Sequence, residues 1–101
     1  MSIVVSRWPY YVRKAKDPAD VTDYQLDWSD WLEEQETIAS SEWTASSGEI
    51  EVEESSDKTT RVWLSGGTER VNITLSNTIV TDSEPVARTA ERSLIIRVES
   101  Q

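Results

Sequence analysis

Val71-Asn72-Ile73-Thr74-Leu75-Ser76-Asn77-Thr78-Ile79 places apolar side chains at Val71, Ile73, Leu75 and Ile79 and small polar ones between them. Successive residues of a strand point to opposite faces, so a period of two predicts a strand with one buried side. The same beat returns at Leu94, Ile96 and Val98, in a last strand over residues 93–98. Working back along the chain, Thr60, Val62 and Leu64 form another such strand and leave Trp63 on its opposite face. Tyr24, Leu26 and Trp28 alternate with Gln25, Asp27 and Ser29 and bring two aromatics to the core. Ile50 and Val52 alternate with Glu49, Glu51 and Glu53, a strand whose acidic face would guard a sheet edge. Ile38 and Trp43 have opposite parity, so burying both requires a β-bulge between them. Ile3–Val5 reads as a short first strand.

Turn signals separate these runs. Ser65-Gly66-Gly67 is the strongest, because paired glycines supply positive φ without strain. Ala45–Gly48, the polar loop Ser55–Lys58 and the charged turn Glu33–Glu36 follow the same logic. Asp17-Pro18 opens a turn, with one helical turn expected at Ala19–Thr22. Seven or so short strands in 101 residues predict one antiparallel β-sandwich of immunoglobulin-like type. The expected organisation is an extended basic aromatic arm over residues 1–16 and a sandwich domain over residues 17–101.

Composition narrows function. The chain has no Cys and no His, which removes disulfide staples, Ser-His-Asp and Cys-His catalysis, and His-ligated zinc. The net charge is −9, which disfavours nucleic acid and anionic membrane surfaces as partners. No apolar run approaches the roughly 20 residues of a membrane helix, and the start is too short for a signal peptide's apolar stretch. Synthesis and folding in a cytosol are the expectation. The charge is unevenly placed: residues 1–16 hold four bases and no acid, whereas residues 17–101 hold six bases and nineteen acids.

Candidate chemistry is sparse. Asp17, Asp20, Asp23, Asp27 and Asp30 would share a face on a helix, but on a strand they diverge, and no calcium-loop pattern is present. Carboxylate pairs suited to glycoside hydrolysis arise by chance in a chain this acidic. Asn72-Ile73-Thr74 matches the glycosylation pattern by coincidence in a cysteine-free strand. No catalytic residue, metal ligand or cofactor site emerges. The aromatic residues have more to offer. Tyr24, Trp28 and Trp43 are expected as core filler, in a chain without Phe. Arg7, Trp8, Tyr10, Tyr11, Arg13, Lys14 and Lys16 of the arm, with Trp63, are the candidate partner-binding residues.

Lys16-Asp17-Pro18, Asp23-Tyr24, Asp27-Trp28-Ser29, the turn Val62–Thr68 and the ending Arg88–Val98 occur in an order that resembles small immunoglobulin-like virion proteins of tailed bacteriophages, among them the phage fibre-tail adaptors. The resemblance runs from about Lys16 to Val98. It implies a non-enzymatic virion structural protein, present in many copies in a symmetric ring. Its expected contacts are with tail fibre, portal or neck proteins. A capsid decoration protein of the same fold, or a carbohydrate-binding module for host attachment, are the alternatives. Two departures stand out. Val71 and Ile73 occupy the strand entry where the family usually has a tyrosine, and the loop Asp82–Ala87 is longer than usual.

Overall fold

The computed structural model describes residues 2 and 3 in backbone and residues 8–100 in full. Val4, Val5 and Arg7 lie outside the described residues, so the strand expected over 3–5 is described only at Ile3. Among the described residues no helix occurs, and eight strands form two layers. The first sheet holds β1 (Ser2–Ile3), β3 (Val21–Asp27), β6 (Thr59–Ser65) and β5 (Glu49–Ser55), in the spatial order β1-β3-β6-β5. The second holds β2 (Tyr10–Tyr11), β8 (Thr89–Ile96), β7 (Ile73–Thr81) and β4 (Ile38–Ala45), in the order β2-β8-β7-β4. The six longer strands pair antiparallel, whereas β1 joins β3 and β2 joins β8 in parallel.

The chain is an all-β sandwich. Its six longer strands share the sheet order of strands B to G in immunoglobulin domains, 3-6-5 against 8-7-4. Two hallmarks of those domains, the inter-sheet disulfide and the tyrosine corner, have no counterpart, since there is no Cys and no tyrosine at the entry to β7, whereas β4 does carry a buried tryptophan, Trp43.

The alternating residues meet between the layers. Ile73, Leu75 and Ile79 of β7 face Val62 and Leu64 of β6, Tyr24 and Leu26 of β3, and Leu94 and Ile96 of β8, all essentially without solvent contact. Burial of each such aliphatic side chain contributes roughly 1.5–3 kcal/mol. Two bulges correct the parity of the edge strands. In β4 the register shifts between Ile38 and Ser40, so Ile38 and Trp43 both turn inward, as their spacing requires. In β5 the shift lies between Ile50 and Val52. Ile50 therefore stays against the core, while Val52 turns outward beside Trp63 and is 50% exposed. This corrects the simple alternation read for that strand.

Three further expectations change. Val71 lies before β7 rather than in it, in a turn where Arg70 has φ 68° and Val71 N donates to Thr68 O. Ala19–Thr22 is no helical turn: Asp20 N bonds back to Asp17 O, Ala19 N bonds to Asp17 Oδ1, and Val21 already begins β3. The last long strand begins at Thr89 rather than Ser93, and Val98 follows it as an isolated bridge to Lys16.

The arm is built into the fold from Trp8 onward. Val12 is buried, and Val12 N bonds to Ile95 O at 2.9 Å. Lys16 N reaches Arg97 O at 2.8 Å, and Glu99 N returns to Lys16 O at 2.9 Å. The boundary drawn at residue 16 thus falls inside continuous packing.

Candidate contact surfaces

The eight residues singled out in the sequence have different fates. Lys16 is buried, at 2% exposure, and its Nζ donates to the carbonyls of Asp17, Asp20 and Gly66 at 3.0, 2.6 and 2.7 Å. Burial pushes its pKa down, against the pull of Asp20 and Asp17. It is a clamp between the arm and the 66–67 turn, and not the surface residue expected. Trp8 and Tyr10 meet edge to face at 6.4 Å and pack against the core. Tyr11, Arg13 and Lys14 stay exposed, Tyr11 at 67%. Trp63 sits apart from all of these on the outer face of the first sheet. Arg7 lies outside the described residues.

Trp63 centres a second surface. Its cross-strand neighbours are Asp23 on β3 and Val52 on β5. Arg61 lies over its ring at 4.5 Å and is fixed there by a 2.7 Å bond to Asp23. The guanidinium holds the Asp23 carboxyl below its ordinary pKa. Val21, Val52 and Trp63, rimmed by Glu51 and Glu54, line a shallow hollow of about 430 Å³.

The sequence did not single out the polar residues that hold the sandwich together. Asn77 lies in phase with Ile73, Leu75 and Ile79, and is fully buried. Its Oδ1 accepts from Trp28 Nε1 at 3.1 Å and Thr60 Oγ1 at 2.7 Å, and its Nδ2 donates to Ser41 Oγ and Glu42 O. Arg92, in phase with Leu94 and Ile96, forks onto both oxygens of Asp30 at 3.0 Å. Its guanidinium lies between Trp28 and Trp8, at 4.3 and 5.0 Å. Glu36, read as part of a charged turn, is buried. It takes both Nε and Nη2 of Arg88, whose guanidinium stacks on Trp31 at 4.0 Å. Arg88 holds the Glu36 carboxyl far below the usual carboxylate range. The available signal was parity: a polar residue at a core-facing position must bring its own partner.

A cleft of about 500 Å³ separates residues 33–36 from the 82–88 loop. Asp82 on its wall is held below the ordinary value by the Thr37 hydroxyl and amide. Asp27 is lowered in the same way by Ser29. The carboxyls whose pKa moves, Asp23, Asp27, Glu36 and Asp82, all move down. Tyr24 is pushed up to about 12 by burial and stays neutral. No group of three or more acids, Cys or His among the described residues is placed to hold a metal ion.

The family described as podophage GP4 fiber-tail adaptor protein gp77 matches residues 16–97. The chain belongs to that family. No curated protein matches it. The fiber-tail adaptor match begins at Lys16, the buried clamp, and ends one residue before the bridge residue Val98. Most of the motif residues that carry the likeness are framework. Asp27 ties Ser29, Trp28 bonds Asn77, Arg88 grips Glu36, and Arg92 grips Asp30. Trp63 is a motif aromatic on the outer face. The fiber-tail adaptor match covers this scaffold, and the exposed arm residues before Lys16 fall outside it.

Proposed function

We propose that this chain is a non-enzymatic virion adaptor that joins tail fibres to the phage tail through protein–protein contacts, in several copies arranged as a ring. The observation that carries the reading is the fiber-tail adaptor match across residues 16–97. The surface chemistry supports it. Arg88 and Glu36, and Arg92 and Asp30, are paired with each other inside the framework. The shifted carboxyls are all ionised at neutral pH, whereas a general acid needs a raised pKa. What faces solvent is suited to contact: an aromatic and basic stretch at Tyr11, Arg13 and Lys14, and an apolar hollow around Trp63. Trp8 and Tyr10 hold that stretch in place. The partners are tail fibre, portal or neck proteins. The chain is made in the host cytoplasm and ends in the virion.

The carbohydrate alternative has less to stand on, because Arg61 covers one face of Trp63 and leaves a single face of that ring for stacking on sugar. A density map of the intact particle tests the adaptor reading. Copies are expected where fibres meet the tail. Copies spread over the capsid shell would replace the reading with a decoration role.

A further inference from the structure

We propose that the hollow around Trp63 on one copy receives the exposed arm residues Tyr11, Arg13 and Lys14 of a second copy of this chain. The proposal rests on the multi-copy part of the adaptor reading and names the surfaces that would build it.

Isolated exposed apolar residues are ordinary, but these are grouped. Val52 is directly opposite Trp63 across β5 and β6, and Val21 lies opposite Ser65, two residues along β6 from Trp63. Val21 is 60% exposed and Val52 50%. The β5 bulge is what turns Val52 out to join this group. Glu51 and Glu54 rim the hollow, and Glu49 extends the acidic strip along the same strand, whereas Glu53 turns to β4 and accepts from Trp43 N at 2.9 Å.

Charge selects the occupant. Each copy carries −9 overall, so two copies repel unless a basic segment faces an acidic one. Exposed Arg13 and Lys14 beside Tyr11 form such a segment, with an aromatic ring to cover the apolar floor of the hollow. Topology then fixes the kind of contact. β1 and β2 form one flank of the sandwich, and β4 and β5 form the other. The arm lies on the first flank and the hollow towards the second, so the contact is head to tail. Each copy gives one arm and receives one. A repeated head-to-tail contact closes into a ring when its rotation divides a full turn, and otherwise runs on as a filament.

Sedimentation of the purified full chain at up to roughly 1 mM tests this. Assembly that grows with concentration and weakens as salt is raised is expected. Val52→Arg and, separately, Tyr11→Ser with Arg13→Glu are each expected to weaken it roughly tenfold or more. All three positions are exposed, and circular dichroism should show the same β signature in both variants. Mixing the two variants is the sharper arm. One keeps a good arm and the other a good hollow, so the mixture should form heterodimers and nothing larger. A wild-type chain that stays monomeric throughout, variants that assemble like wild type, or a mixture that stays monomeric would each overturn the proposal. None of these outcomes bears on where the protein sits in the particle, which the density map decides separately.

Discussion

Asn77 uses both lone pairs of its oxygen and both hydrogens of its amide inside the core, bridging both sheets through Trp28 and Thr60 on one side and Ser41 and Glu42 on the other. Asn77→Ala leaves several of those partners without water or a substitute, each worth roughly 1–3 kcal/mol when orphaned. A net loss of about 3 kcal/mol in urea unfolding is expected. Asn77→Asp should cost more, because a carboxylate cannot donate to Ser41 and Glu42 O. Trp43 offers the converse. Its Nε1 is buried with no partner among the described residues, whereas Trp28 Nε1 has two. Trp28→Phe should therefore destabilise by about 1–2 kcal/mol more than Trp43→Phe, measured in the same denaturant series. The sequence showed both tryptophans as core filler and gave no sign of this difference. It depends on a polar residue in β7 that interrupts an otherwise apolar beat.

At the scale of elements, the turns and bulges carry what periodicity leaves out. Gly48 has φ +77°, and a Cβ there would lie 2.7 Å from the Ser65 carbonyl. Gly48→Ala combines backbone strain with a clash against fixed backbone, so a loss of about 2 kcal/mol is expected, read from the thermal midpoint. The 82–88 loop is tied to the 33–36 turn by Arg88 and Glu36, and its pH dependence has a definite sign. Glu36 is depressed in the folded state, so in acid the unfolded chain binds more protons than the native one. The stabilisation is complete above the ordinary Glu value of about 4.3 and is lost as pH falls through the folded value. Asp23, Asp27 and Asp82 act in the same direction. The wild type should lose stability steadily from about pH 5 downwards, and Glu36→Gln should show a shallower slope. The bulge in β4 was legible because Ile38 and Trp43 both had to be buried. The bulge in β5 was not, because Ile50 and Val52 already agreed in parity and nothing in a run of glutamates marked Glu51 as the extra residue.

For the whole molecule, the period-two segments fixed the two-layer architecture and most of the core, but not the standing of the arm. Charge and aromatic content alone do not separate a free arm from a packed one. Burial of Val12 and Lys16, with Arg92 lying over Trp8, resolves it in favour of packing for residues 8–16. Removing residues 1–16 should therefore lower stability by several kcal/mol, on the order of 3–5, through lost apolar burial alone. Deletion is thus a poor test of partner contact, and substitutions at exposed Tyr11 and Arg13 separate contact from folding. The parallel seam between β2 and β8 has one more consequence, a mechanical one. A pull that separates residue 8 from residue 99 runs along both strands, so it loads the bonds of Val12, Lys16 and Glu99 in shear and all together. Such a joint should give way in one high-force event under an optical trap, rather than by peeling one rung at a time.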